Sequence, residues 1–471
     1  MIAGKEGDMI GRDQGGEKDE KRMAENGGTN DLLVGGDYVI TLNRSGEIIP
    51  RGAVLIRDGR VAEVGPAKAL GREHPEIRRL DAGGVIMPGL ICAHMHLYST
   101  MARGMALKDE PPANFVQILE RLWWRLDKVL GEEDIRYSAL VALMACIRHG
   151  TTTLIDHHAS PGHIAGSLDI LADAVRQAGL RASLCYEVSD RGGSREAQAG
   201  IEENIRFLQR CRREGDPYLG ASFGLHASFT LSDETLDRCV REAAELGSGF
   251  HLHVAEDAAD VRDAREKYGK STVRRLADAG ILGPQTLAIH CVHVDEEDIG
   301  LLRETGTKVV HNPESNCNNG VGVAPVLEMM AAGIPVGLGS DGFTANMFDE
   351  IRTANILHKL DHRDPRVAYA EVPRMIFENN RRIAGLYFDP PVGIIEPGAA
   401  ADLVVLDYDP ATPLDAGSFW GHLLFGLAGA RVNTTIVGGK ILMHKGELLH
   451  LDEAEICARS RKLSEKLWDR F

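Results

Sequence analysis

The chain has 471 residues, 44% of them apolar, which is enough to bury a large core and to form one barrel-sized domain with a smaller companion. Lysine and arginine total 53 against 69 aspartates and glutamates, a formal charge of −16 with no basic stripe, which argues against nucleic acid or an anionic membrane as the main partner. The eight cysteines are scattered with no C-x-x-C pair, and no apolar run reaches about 18 residues. The expectation is a reduced, cytoplasmic protein without a disulfide framework, cysteine–zinc knuckle, signal peptide or membrane span.

Residues 1–30 are rich in Gly, Glu, Asp and Lys and nearly lack large apolar residues. Such a composition cannot offset the entropy of ordering, so this segment is expected to be disordered. From 31 to 87 short β-like pieces (DYVITL, AVLIRDG, RVAEVG) alternate with Gly, Asp and Pro turns, and pieces of the same kind return over 392–450. Neither set is long enough to close a sheet alone, so the two chain ends are expected to pair into one small β-sandwich. The last segment, 451–471, places Ile456, Leu463, Leu467 and Phe471 near one helical face, for packing on the sandwich or on a second subunit.

Over 88–391 apolar strand-like runs alternate with helix-like segments that stop at glycine, as at Gly179, Gly247 and Gly333. The expected strands are the run from Val85 to Cys92, TTTLIDHH (151–158), RASLCYEV (181–188), LGASFGLHA (219–227), GFHLHVAE (249–256), LAIHCVHV (287–294), KVVHNP (308–313) and VGLGSDG (336–342). Eight strands with crossover helices is the count of a (β/α)8 TIM barrel, whose active sites lie at the C-terminal strand ends.

The polar residues at those ends carry the chemistry. His94 and His96 stand two apart at the end of the first barrel strand, a spacing that points both imidazoles to one face. With His253 and Asp341 they offer three nitrogens and one oxygen, a donor set suited to Zn2+ or Fe2+. Glu256, three residues after His253, can exchange a proton with water at such an ion, and His290 is a second polarising candidate. His251 and His293 read as structural or supporting, and His157 and His158 have no evident role. After His96 a long segment forms the natural lid. In it Arg103 could meet a polar substrate edge, while Trp123 and Trp124, at helical spacing, read first as core. Asn316 and Asn318 are candidate hydrogen-bond partners for a heterocycle.

The succession PGLICAHMHL, GTTTLID, HLHVAE, AIHCVH, HNPESN and GLGSDG resembles the amidohydrolase superfamily in its cytosine deaminase, guanine deaminase, adenosylhomocysteine deaminase and chlorohydrolase branch. LWWRLD (122–127), IDHHASP (155–161), GIEENIRF (200–207), NPESNCNNGVG and SDGFTANMFDE are similar in particular to the SsnA-type aminohydrolases. The resemblance implies a barrel with a composite β-sandwich, one divalent metal ion per chain held by His94, His96, His253 and Asp341, and a homodimer. It places proton transfer on Glu256, stabilisation of the attacking hydroxide or the intermediate on His290 with Asp341, and substrate contact on His226. No strand end offers a lysine for carboxylation, which favours one metal over two. The reaction so implied is hydrolytic deamination of an amino-substituted purine- or pyrimidine-type heterocycle. Ring opening of a cyclic amide is the alternative, and a non-catalytic scaffold a further one.

Overall fold

At Pro88 and Gly89 the chain passes from one sheet system into another, and this step organises the architecture. The computed structural model describes residues 31–471; the segment expected to be disordered, 1–30, lies outside the described residues. The N-terminal part supplies β1 (Leu32–Gly35), β2 (Tyr38–Ile40), β3 (Ile48–Pro50), β4 (Gly52–Arg57), β5 (Arg60–Pro66), β6 (Arg79–Asp81) and β7 (Val85–Pro88). The C-terminal part supplies β17 (Leu403–Asp407), β18 (Arg431–Val437), β19 (Lys440–His444) and β20 (Glu447–Leu448). One sheet, ordered β5-β4-β1-β6, is N-terminal throughout, whereas the other, β20-β19-β18-β17-β7-β2-β3, joins both chain ends through the antiparallel pair β7–β17. Leu32, Val54 and Ile86 share a buried cluster with Leu403, Val405 and Ile436, so the sandwich core is composite too.

The barrel follows with β8 (Leu90–Met95), β9 (Thr151–Asp156), β10 (Arg181–Leu184), β11 (Leu219–Ala221), β12 (Phe223–Ala227), β13 (Phe250–Val254), β14 (Leu287–His290), β15 (Lys308–His311) and β16 (Val336–Leu338). All pairings along β8-β9-β10-β11 and β12-β13-β14-β15-β16 are parallel. Single bridges between Met95 and Asp341 and between Val188 and Leu225 close the two arcs into a ring. Ala93, Ile155, Ile289 and Val310 form one buried cluster although β9 and β14 are not neighbours, so their contact runs through the barrel interior.

Two expected strands are divided. The run Val85 to Cys92 is β7 in the sandwich and β8 in the barrel, because Pro88 cannot continue a ladder as donor and a Cβ on Gly89 would overlap Thr152. LGASFGLHA breaks at Ser222, so that β11 pairs with β10 while β12 pairs with β13. The strands expected over 181–188, 287–294 and 336–342 are shorter than expected, and their polar ends turn into loops facing the barrel mouth. The helices Ser167–Ala178, Asp233–Glu245 and Val326–Ala331 are followed by Gly179, Gly247 and Gly333 at φ 78°, 50° and 91°, a left-handed conformation that glycine adopts without a Cβ clash.

The C-terminal helix, Glu453–Arg470, corrects the expectation that it would cover the sandwich or a partner. It packs on the barrel helix Glu132–His149 with Ile456, Leu463 and Leu467 buried, and its Trp468 Nε1 donates to Met101 O at 2.8 Å.

Barrel and sandwich are joined by a buried ion pair. Arg181 at the start of β10 binds Asp402 through Nε (2.7 Å) and Nη2 (3.2 Å), and Gly438 N donates to the same carboxylate at 2.8 Å. Both side chains are shielded from water, so removing one partner strands the other charge. Asp402→Ala is expected to lower stability by about 3–5 kcal/mol, read from the urea midpoint at unchanged slope. A loss below about 1 kcal/mol, the level of an exposed pair, would contradict this account.

Candidate active site

Four side chains from three strand ends meet in the barrel mouth. His94 lies on β8, His96 follows it, His253 lies on β13, and Asp341 comes three residues after β16. Their nearest donor atoms all fall within 4.8 Å of one another. Asp341 Oδ1 stands 3.0 Å from His96 Nε2 and 3.7 Å from His94 Nε2. The other ring nitrogens point away from the centre. His96 Nδ1 meets His157 O at 2.5 Å, His253 Nδ1 meets His226 O at 3.1 Å, and His94 Nδ1 meets His251 Nε2 at 2.9 Å.

A carbonyl oxygen only accepts, so His96 and His253 must carry their protons on Nδ1, which leaves the neutral ring a lone pair on Nε2. That is the tautomer a metal ligand requires, and its outward hydrogen bond is the usual support of a ligating histidine. His94 Nε2 is fully buried without a hydrogen-bond partner, an omission a folded protein rarely tolerates unless something else occupies that lone pair. The donor set and its orientation therefore fit a divalent metal ion.

Glu256 and His290 flank this cluster. His290 Nε2 lies 3.4 Å from Glu256 Oε2 and 3.8 Å from Asp341 Oδ2, while its Nδ1 donates to Asn316 Oδ1 at 2.8 Å. Burial, reinforced by the negative charge of Asp341, holds the Glu256 carboxyl well above the usual carboxylate range. The hydroxyl of Ser315 donates to Asp341 Oδ2. Ala255, His290, Cys291 and Asp341 all have positive φ (47°, 71°, 49° and 54°), a region that non-glycine residues seldom enter. Their grouping at the strand ends shows backbone strain concentrated around the candidate site.

A cavity opens beside the cluster, walled by Phe115, Leu119, Trp123, Trp124 and Phe229 and reaching Glu256, His226 and Asp341. His226 faces it: the Nδ1 proton goes to Thr230 Oγ1 (2.6 Å), whose own hydroxyl donates to Ala227 O (3.1 Å), so Nε2 is left as an acceptor. Burial lowers the His226 pKa to about 3, keeping the ring neutral.

The other candidates divide. Asn316 is fully buried behind His290 and does not line the cavity, which corrects its assignment as a substrate contact: it orients His290. Asn318 does line the cavity. Arg103 is exposed and lies outside the lining, because the short helix Leu97–Ala102 ends before it and turns it to solvent. Trp123 and Trp124, read first as core, pack against the core and also wall the cavity, with a π-helical turn over Leu119–Trp123 beside them. Of the supporting histidines, His251 holds His94, and His293 Nε2 meets Val321 O at 2.8 Å. His311 pairs with His358 (3.2 Å), and His158 with Ser160 (2.9 Å). His157 places Nε2 between the carbonyls of Leu225 (3.0 Å) and His251 (3.1 Å), with Nδ1 3.3 Å from Glu187.

Glu187, Asp127 and Arg191 complete the site without having been singled out in the sequence. Glu187 and Asp127 line the cavity, and Arg191 pairs with Asp127 at 2.9 Å and Glu187 at 3.6 Å. The signal for Glu187 is the acid in RASLCYEV, near the end of an otherwise apolar strand-like run.

The amidohydrolase family model matches residues 85–442, and a shorter one, for the bacterial imidazolonepropionase-like composite domain, matches 52–76. A 5'-deoxyadenosine deaminase of Methanosarcina mazei is 33% identical over 442 residues, 93% of this chain and 98% of its own. A 5-methylthioadenosine/S-adenosylhomocysteine deaminase of Moorella thermoacetica is 36% identical over 428 residues, 90% of this chain and 96% of its own. Among solved structures, an adenosine deaminase of Xanthomonas campestris with bound zinc superposes with a TM-score of 0.80 at 26% identity, covering 93% of this chain and 98% of that one.

Barrel, composite sandwich and a histidine–aspartate cluster at the strand ends are the frame of a hydrolytic enzyme that uses a divalent metal. The chain belongs to the amidohydrolase family.

The hydrogen bond between His94 and His251 yields a test independent of substrate. His251→Ala should weaken zinc binding by about 10- to 100-fold, read by competition with a chromophoric chelator, with the fold intact by circular dichroism. Unchanged affinity would remove His251 from the support of the site.

Proposed function

We propose that the protein is a metal-dependent aminohydrolase that replaces the exocyclic amine of an N-heterocycle by oxygen and releases ammonia. In this reading one divalent ion per chain, zinc, is held by His94, His96, His253 and Asp341. When bound, such an ion supplies Lewis-acid activation of water, lowering its pKa from about 15.7 to about 7.

The residues around it have complementary tasks. Glu256, buried and disposed to keep its proton, gives it to the ring nitrogen next to the amine-bearing carbon, which removes the aromatic resistance to addition. His290, fixed by Asn316, turns the lone pair of Nε2 toward Glu256 and Asp341 and can share the proton that moves between them. As water adds to the carbon, its first proton returns to the Glu256 carboxylate, which passes it to the amine. The carbon–nitrogen bond breaks, ammonia leaves, and the second water proton restores the Glu256 acid as the carbonyl forms. The aromatic wall of the cavity supplies faces for a flat ring and excludes bulk water.

The observation that carries this reading is Glu256: a buried carboxyl next to a metal-fit cluster, at the mouth of a cavity walled by aromatic rings. The names of the relatives support adenine nucleosides as the first substrates to try. The test is ammonia release by zinc-loaded protein across amino-purines and their nucleosides, amino-pyrimidines and amino-triazines, with a chelated control. Chelator-sensitive ammonia from one ring class is expected. Glu256→Gln should cut turnover by about 10²- to 10⁴-fold with zinc content unchanged, and near-normal turnover in that variant would overturn the role given to Glu256.

A further inference from the structure

The cavity is acidic to a degree the deamination chemistry does not require. Asp127, Glu187, Glu256, Asp257, Asp260 and Asp341 all line it, and no lysine or arginine is among its described lining residues. Glu256 and Asp341 belong to the chemistry proposed above, and Asp260 is engaged with the backbone N–H groups of Phe229 (3.1 Å) and Ala255 (2.9 Å). Glu187 is bound to nothing that this reaction uses.

Its surroundings leave it both charged and available. Arg191 is not among the lining residues and lies 2.9 Å from Asp127 and 3.6 Å from Glu187, with its side chain 9% exposed, so two carboxylates compensate one positive charge. Glu187 Oε2 faces His157 at 3.3 Å, while Oε1 lies 3.6 Å from His226 Nε2, beyond hydrogen-bond distance. The hydrogen bonds through Thr230 make that nitrogen an acceptor as well. Two acceptors side by side on the cavity wall lack a donor between them. A substrate with paired N–H or O–H donors would fill that gap, and one bringing its own negative charge would meet an anion in a site poorly screened by water.

We propose that Glu187, with His226, is the recognition site for a donor-bearing edge of the substrate, and that its charge makes the enzyme select uncharged or cationic amino-heterocycles over those carrying a carboxylate or phosphate. The inference rests on the deaminase reading for its substrates and assigns them a charge class. On an adenine ring it favours adenosine or 5'-methylthioadenosine over adenosine 5'-monophosphate, whose tail bears a negatively charged phosphate.

The experiment compares such matched pairs, alike in ring and different in tail charge, within the ring class that binds. Two readouts keep the proposals apart: equilibrium binding by calorimetry to the zinc-loaded Glu256→Gln protein, and kcat/KM for ammonia release by wild type. A failure of deamination appears only in the second, whereas charge selection is read in both. The uncharged member should be preferred by about 10²-fold. Adding Glu187→Gln, which keeps the shape and one acceptor oxygen but removes the charge, should improve the anionic member relative to its pair by about tenfold or more, through KM rather than kcat. Glu187→Asp should retain the preference. Equal binding of the two members by the Glu187-intact protein, or an unchanged ratio after Glu187→Gln, would overturn the proposal. A merely structural role for Glu187 would weaken both members alike.

Discussion

The candidate site depends on three hydrogen bonds that point away from it. His94, His96 and His253 each commit Nδ1 to an outward partner, and for two of them that partner is a backbone carbonyl, which a change of side chain at the same position would leave in place. For His96 and His253 this fixes the tautomer before any ion arrives and turns the Nε2 lone pair inward. The partners come from other parts of the barrel, His157 after β9, His226 on β12 and His251 on β13, so the site's electronic state is a property of the closed barrel. Without closure, the imidazoles would titrate and rotate independently.

Closure is itself written partly into the site. Asp341 supplies a carboxylate to the cluster, and its backbone bridges to Met95 and exchanges hydrogen bonds with His94 and His96 (Asp341 N to His94 O, 3.1 Å; His96 N to Asp341 O, 3.2 Å). The last barrel strand is therefore joined to the first through the residues that form the centre. The left-handed backbone at Asp341 and His290 accompanies this arrangement. A residue held there costs of order 1–3 kcal/mol, a cost the packed barrel offsets and an isolated strand could not.

Two polar systems share the cavity and differ in character. On one side, Glu256, His290 and Asp341 are disposed to move a proton, with Glu256 buried and inclined to neutrality. On the other, burial opposes the charge of Glu187, yet His157 and the Arg191 guanidinium overcome it and hold the carboxyl well below its usual range. Two glutamates in one pocket are thus pulled in opposite directions because their neighbours differ, one toward keeping its proton and the other toward a fixed charge.

What the sequence by itself determined is what local periodicity governs. Alternation along a strand sets His94 and His96 on one face, and the order of strand-end histidines with Asp341 identifies the family and its barrel. Only the tertiary structure decided which groups face one another. Asn316 turned out to support His290, Arg103 points to solvent, and Trp123 and Trp124 wall the cavity as well as packing against the core. Glu187 gained its meaning from Arg191, His157 and His226, which arrive from loops and strands up to 39 residues away along the chain, and from Asp127, 60 residues before it, held on Arg191. The physical reason is that facing along one strand follows from bond geometry over two residues. The charge and hydrogen-bond partners of a buried group follow from strand ends brought together when the barrel closes.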